Sequence, residues 1–294
     1  MADALEKLIA RLDGLVDRLE MLLPTPPAPV DWSASIAFRW RRRHGRGQLV
    51  PVSHPHKIRL EDLQDVDRQK ALVDANTRQF VRGLTANNVL LTGARGTGKS
   101  SLVKALLNRY ADEGLRLIEV DKLDLLDLPE IVELVSGRPE RFIIFCDDLS
   151  FEANEPGYKA LKVVLDGSIA APSENVLVYA TSNRRHLMPE YMHENLEYKH
   201  VGGEIHPGET SEEKISLSER FGLWVSFYPF DQEEYLRIVA HWLRTLGCDD
   251  AQIESARDEA LQWALGRGSR SGRVAWHFAR DWAGRHQNGA APDA

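Results

Sequence analysis

Cysteine is nearly absent from this chain: its 294 residues contain two, Cys146 and Cys248, far apart and in no CxxC pair. That count indicates neither a disulfide framework nor a zinc site built on paired cysteines. Long apolar runs are missing too, none approaching the roughly 18 residues of a membrane-spanning helix. The first residues carry charges throughout rather than a signal-peptide pattern, so the expectation is a cytoplasmic protein without membrane contact. Neither an HExxH metalloprotease motif nor a second phosphate-loop motif occurs, which excludes a fused zinc protease and a tandem nucleotidase. Positive charge is in deficit, 37 Lys and Arg against 44 Asp and Glu, for a net charge of -7. Such a balance argues against non-specific coating of nucleic acid and leaves room for a local basic patch. With 43% hydrophobic residues, the chain can bury one large core, or one core and a small satellite.

What is present comes in blocks. Leucines at 5, 8, 12, 15, 19 and 22 repeat in steps of three and four, the spacing of a heptad seam, and predict a helix over residues 1–23. Three heptads interrupted by Gly14 are marginal for a free-standing coiled coil, and an amphipathic helix packed on its own chain or on a partner fits equally well. PTPPAPV (24–30) ends that helix and reads as a stiff extended linker. FRWRRRHGRG (38–47) then gathers Arg39, Arg41, Arg42, Arg43 and Arg46 around Trp40, so residues 24–57 read as a Pro-rich linker and a basic segment. The cluster suits nucleic acid, or a solvated face or strip that meets acidic groups of a neighbouring subunit; the second reading is preferred, because charge runs are usually solvated. His54 and His56 lack acidic or cysteine neighbours and are assigned no role.

From Ile58 onward, short β-rich runs alternate with helical spacing: NVLLT (88–92), LRLIEV (115–120), RFIIFC (141–146), NVLVYATS (175–182) and LWVSFY (223–228). Alternation of this kind predicts an α/β domain over 58–230, a parallel sheet covered by helices on both faces. After Pro229 the pattern is helical only, so residues 231–284 are expected to form a small C-terminal helical domain, with a disordered tail over 285–294.

The chemistry centres on GARGTGKS (93–100), which lies between the run NVLLT and the helical SLVKALLNRY. Gly93, Gly96 and Gly98 let the backbone curl so that successive N–H groups point inward, and the helix that follows adds the positive end of its dipole. The expected phosphate cradle is Gly93, Ala94, Arg95, Gly96, Thr97, Gly98, Lys99, Ser100 and Ser101. Lys99 reaches the β- and γ-phosphates of a triphosphate, and Ser100 offers its hydroxyl to Mg²⁺. RFIIFC is followed by Asp147 and Asp148, at the carboxyl end of a buried strand, where α/β sheets bind ligands. Asp147 is expected to hold Mg²⁺ and Asp148 to orient the attacking water. Glutamate, with its longer reach, more often has the second task, so hydrolysis is expected to be slow; Glu152 is a second, less favoured base.

The succession GARGTGKS, FIIFCDD, VLDG, NVLVYATSNR, SERFG and GSRSGR resembles the AAA+ ATPase superfamily from Ile58 to Asp281. The phrases DRQKALVDANTRQF, CDDLSFE and ATSNRRHL are similar to one bacterial family within it, known as domain of unknown function 815, which favours Asp-Asp after the strand. The resemblance implies a three-layer P-loop NTPase fold followed by a small α-helical lid domain, with ATP and Mg²⁺ as cofactors. It implies that Asn183 is the sensor-1 amide orienting water, that Arg220 is an arginine finger given in trans to the ATP of an adjacent subunit, and that Arg273 is the sensor-2 arginine, with Arg270 as its nearest competitor. Apolar residues before the sheet would hold adenine, for which Leu63 and Val66 are the candidates.

Residues 188–216 are long, polar and rich in Glu and His, and are expected to be a mobile insertion at the subunit junction. The separations of His193, His200 and His206 match no compact metal motif, so a solvated loop is preferred. The leading expectation is an ATPase that remodels an unidentified protein partner as a ring-like homo-oligomer. A nucleotide-dependent switch with little turnover and a DNA-directed ATPase of clamp-loader or initiator type are the alternatives; nucleic acid is not favoured, given the acidic balance.

Overall fold

The computed structural model describes residues 29–43, 45–151, 155–166, 173–184, 199–201, 204–206 and 219–287, together with Arg11. The expected N-terminal helix and the final tail residues lie outside these, as do Glu152 and most of 188–216, including the side chains of His193, His200 and His206.

Seven strands form the main sheet. They are β1 (Ala37–Arg43), β2 (Arg46–Pro51), β3 (Val89–Gly93), β4 (Leu115–Glu119), β5 (Arg141–Cys146) and β6 (Val176–Ser182), and, after a separate two-stranded hairpin of β7 (Lys199–Val201) and β8 (Glu204–His206), β9 (Leu223–Phe227). Their order is β2-β1-β4-β5-β6-β3-β9, parallel throughout except for the β1–β2 pair. Continuous apolar runs become central strands because both faces are covered. Alternate residues of each run enter different cores: Val89, Leu91, Ile143, Phe145 and Tyr179 on one face, Leu90, Phe142, Ile144, Val178 and Ala180 on the other.

The first face is covered by α1 (Asp67–Val81) and α2 (Lys99–Tyr110), through Val73, Phe80, Leu102 and Leu106. On the second face lie α3 (Leu128–Val135) and α4 (Pro156–Asp166), through Ile131 and Leu161. The C-terminal helices follow as α5 (Gln232–Thr245), α6 (Asp250–Ser255), α7 (Arg257–Gly266) and α8 (Gly272–Gln287). Asp231 caps α5 reciprocally with Glu234, and Asp249 caps α6 with Gln252. Tyr235, Ile238, Phe278 and Trp282 from these helices join the same core as α1 and α2, so they extend the first layer. Among the described residues no helix is long and apolar enough to cross a membrane.

One expectation is corrected. The basic segment, expected to lie outside the α/β domain that starts at residue 58, belongs to its sheet: residues 37–51 are the hairpin β1–β2, and β1 continues the sheet in parallel register beside β4, Ala37 opposite Leu117 and Arg39 opposite Glu119. Phe38 and Trp40 are buried, and a period of two with only two large apolar residues is easily hidden by the arginines between them. Gly47 lies flat on Trp40, where a Cβ would fall 1.8 Å from a ring carbon.

Candidate nucleotide site

The phosphate loop leaves β3 at Gly93 with φ +122°, where a side chain would stand 1.9 Å from the Phe227 carbonyl oxygen of the neighbouring strand. Only glycine permits that turn and that approach together. Gly96 and Gly98 also take positive φ, +73° and +98°, and Thr97 Oγ1 braces the loop by donating to the Ala94 carbonyl (2.8 Å). Gly98 caps α2 without any side-chain acceptor, which leaves the first N–H groups of the helix available to an anion. Ser100 and Ser101 sit in that first turn, half-buried.

Lys99 is buried at 6% exposure. Its Nζ donates to the carbonyl oxygens of Gly93 (2.9 Å) and Ala94 (2.7 Å) and to Asn183 Oδ1 (3.1 Å). Burial pushes the ammonium below the usual lysine range; Asp147 and Asp148 oppose that shift, and Arg95 and Arg273 add to it.

The acids stand at the carboxyl end of β5. Asp147 Oδ1 accepts from Ser100 Oγ (2.6 Å) and from Thr181 Oγ1 (2.5 Å). Asp148 has φ +53°, a left-handed conformation that short polar residues tolerate best. Its N–H donates to Thr181 Oγ1 (2.9 Å), and its carboxylate accepts from Asn183 Nδ2. Asn183 thus touches both the loop lysine and the second acid. Thr181 touches both acids and was not singled out from the sequence; its signal is a small hydroxyl side chain near the end of a buried strand, two positions before Asn183.

The start of α8 abuts the loop. Gly272 N–H donates to the Gly96 carbonyl (2.9 Å), and a Cβ on Gly96 would meet Ser271 at 2.8 Å and the Arg273 Cβ at 3.5 Å. Arg273 therefore begins its helix beside the cradle, whereas Arg270 is exposed in the preceding turn. Leu63 and Val66 are core residues at 7% and 4% exposure; a Cβ on Gly98 would lie 3.5 Å from Leu63 Cδ2, which places Leu63 against the loop. Their segment is fastened to α5, with Asp65 accepting from Arg237 Nε (2.9 Å) and Nη2 (2.6 Å).

Arg220 is the sequence candidate that the fold keeps apart. β3 and β9 pair from Val89 opposite Leu223 to Gly93 opposite Phe227, so Arg220 lies beyond the end of the sheet opposite to the loop. The four steps between those ends span about 13 Å. Arg220 Nε instead lies 2.6 Å from Asp166 Oδ1, at the end of α4.

No bound ion is needed to test the fit of Mg²⁺ here: a hydroxyl and a carboxylate already converge at Ser100 and Asp147, the sparse protein ligand set this ion takes beside phosphates and water. Among the described residues no cluster of three or more His, Cys, Asp and Glu is placed to hold a metal. A cavity of about 400 Å³ adjoins the acids; besides Asp147 and Asp148 its lining includes Arg39, Arg41 and Lys122 and the carboxylates Glu119 and Asp121.

A glycine loop between the parallel strand β3, flanked by β6 and β9, and α2, paired acids after β5, an amide after β6 and a C-terminal helical layer define a P-loop NTPase fold of the AAA+ kind. The chain belongs to the family described as protein of unknown function DUF815, whose model matches residues 33–286 and thus takes in the basic hairpin. Among solved structures it is similar to the RuvB Holliday junction branch migration motor of Thermotoga maritima (16% identity, TM-score 0.45, covering 76% of this chain and 63% of that one). It is also similar to the Aeropyrum pernix Orc1 protein in complex with DNA (17% identity, TM-score 0.49, covering 73% and 58%). It spans less than two thirds of either of those chains. No curated protein matches.

Proposed function

We propose that this chain binds Mg·ATP at GARGTGKS and hydrolyses it slowly, and that it does so as a homo-oligomer in the cytoplasm, remodelling a macromolecular partner whose class the nucleotide site leaves open. The observation that carries the reading is one hydrogen-bond chain, Asp148 to Asn183 to Lys99, beside a second, Thr181 to Asp147 to Ser100. Together they put the phosphate-binding cation, the metal-binding acid and the water-orienting acid within a single network. Lys99, released from the carbonyls of Gly93 and Ala94, takes the β- and γ-phosphates. Ser100 and Asp147 hold the metal, which neutralises phosphate charge. Asp148 orients the attacking water, Asn183 aligns that acid with the terminal phosphate, and Arg273 follows the nucleotide from the start of α8. Leu63 and Val66 support the adenine side. Arg220, at the far end of the sheet, supports a site closed by a neighbour.

Steady-state phosphate release with Mg·ATP tests this. The wild type is expected to turn over, Lys99→Ala to lose nucleotide binding, and Asp148→Asn to bind ATP while turnover falls by about 10²-fold or more. Turnover unchanged in both variants would overturn the assignment. A second reading, a nucleotide switch with little turnover, draws on Asp148 itself: its carboxylate is short and already engaged by Asn183. Tight ATP binding by the wild type with no phosphate released would favour it.

A further inference from the structure

The pleat of β1 sorts its charge. Successive side chains point to opposite faces, so Phe38, Trp40 and Arg42 share one face, and Arg39, Arg41 and Arg43 the other. The first face is occupied within the chain: Phe38 and Trp40 are buried, and Trp40 Nε1 (2.8 Å) and the Arg42 guanidinium (Nε, 2.7 Å) both donate to Asp127. On the second face Arg39 is tied to Glu119 (2.6 Å), while Arg41 and Arg43 have no ion-pair partner among the described residues. The hairpin register continues the row onto β2, where Arg46 lies opposite Arg43 and Gln48 opposite Arg41. Arg46 is likewise without an ion pair among the described residues.

Three guanidiniums of one sign thus lie close together on a hairpin built into the main sheet, in a chain of net charge -7. Like charges on facing strand positions destabilise a pair, so the row is a cost to the free protein that a bound anion removes. Two cavities share its Arg41 end. One, of about 400 Å³, sets Arg39, Arg41 and Lys122 against Glu119, Asp121, Asp147 and Asp148; the other, of about 370 Å³, lies along Arg39, Arg41, Arg42 and Arg43 to Val50 and Ser53. The row therefore leads outward along the strand from the two acids of the nucleotide site.

We propose that this face holds the phosphodiester backbone of a nucleic acid without reading its sequence. Guanidinium forks match phosphate oxygens two by two. Among the described residues, no exposed large hydrophobic side chain belongs to the hairpin, so its strands lack the kind of anchor on which a protein interface is centred. Among the described residues of the hairpin the only aromatics are Phe38 and Trp40, both buried, Trp40 beneath Gly47, so unpaired bases find no stacking platform on them and the backbone is what is gripped. The acidic remainder of the surface confines the contact to this strip. The inference supplies a partner class for the proposed ATPase and rests on that reading for its link to turnover, not for binding.

Fluorescence anisotropy of a fluorescein-labelled random-sequence DNA duplex with the full chain, without nucleotide, tests it. The wild type is expected to bind at about 50 mM salt, with log affinity falling against log salt at a slope near -3, about -0.9 for each phosphate neutralised. Arg41→Glu, Arg43→Glu and Arg46→Glu together should weaken binding by about tenfold or more and remove most of that slope, while lysine at the same three positions should keep it. Arg68→Glu, Arg78→Glu and Arg82→Glu on α1 and the turn after it make the same change in net charge away from the hairpin and should leave most of the affinity. No wild-type binding at low salt, an equal loss in the α1 control, or competition by polyglutamate as strong as by duplex at equal charge would each overturn the proposal, the last pointing to an acidic polypeptide. Duplex binding without ATP hydrolysis would sink only the ATPase reading, and hydrolysis without duplex binding only this one.

Discussion

At the Gly93 and Phe227 end of the paired strands β3 and β9, carbonyls, hydroxyls, carboxylates and a buried lysine converge within hydrogen-bond distance of one another. At the Val89 and Leu223 end of the same pair, Arg220, proposed to face a neighbour's terminal phosphate, is tied to Asp166. A rigid parallel pair about 13 Å long cannot fold one end onto the other. The comparison teaches that, on the proposed reading, a site that uses both ends needs two chains, each giving the half that the other lacks.

Mixing variants breaks or sharpens that comparison most severely. Arg220→Ala and Lys99→Ala should each reduce ATP turnover by about 10³-fold or more. A mixture of the two should recover a substantial fraction, because some junctions then pair an intact cradle with an intact arginine. A mixture as inactive as its parents, in the same phosphate-release assay, would show that Arg220 does not act across a junction.

Within the crowded end, Gly93 and Gly98 differ in what surrounds them. A methyl at Gly93 meets the Phe227 carbonyl oxygen at 1.9 Å, whereas one at Gly98 meets only Leu63 Cδ2 at an ordinary 3.5 Å. Both positions carry the strain of positive φ, so the difference isolates the clash. Gly93→Ala should destabilise the fold by about 2 to 3 kcal/mol, and Gly98→Ala by about half of that. Urea midpoints for the two variants measure it, and equal losses would mean that the β3–β9 contact is not what limits the loop.

Thr181→Val probes the joint between the two acids. It keeps the side-chain volume while removing the hydroxyl that donates to Asp147 and accepts from the Asp148 N–H. Turnover should drop about tenfold, equivalent to about 1.4 kcal/mol of barrier, with ATP affinity nearly unchanged. A loss in affinity instead would make Thr181 part of the metal's support, with no share in placing Asp148.

The sequence is most legible where one period dominates. RFIIFC and NVLVYATS announce buried strands because nothing polar interrupts them, and GARGTGKS announces its loop because three glycines at that spacing have few other uses. Arg39, Arg41, Arg42, Arg43 and Arg46 obscured a strand of the same sheet, since burial of Phe38 and Trp40 depends on Asp127, distant in sequence, to accept from Trp40 and Arg42. The joining of Ser271 and Gly272 to Gly96 was hidden for the same reason: it is a contact between the ends of a long loop closure, and no local spacing encodes it. Arg220 could be picked out by its SERFG context, but its tie to Asp166 could not.

The smallest effect concerns whether the basic hairpin belongs to the crowded end as a rigid part. Asp127, 6% exposed, is the anchor, and the Arg42 hydrogen bond, helped by Trp40 and opposed by burial, holds its carboxyl below the usual range. A carboxylate with a depressed native pKa contributes stability that is present above its unfolded value, about 3.9, and is lost as pH falls through the native one. Asp127→Asn should therefore cost about 1 kcal/mol near neutral pH, and the gap between variant and wild type should close as the medium is acidified below about pH 4. Thermal or urea unfolding at several pH values measures that gap. A gap independent of pH would mean that the amide fails through packing alone, and that the charge on Asp127 does not fasten β1 to the sheet edge beside the acids.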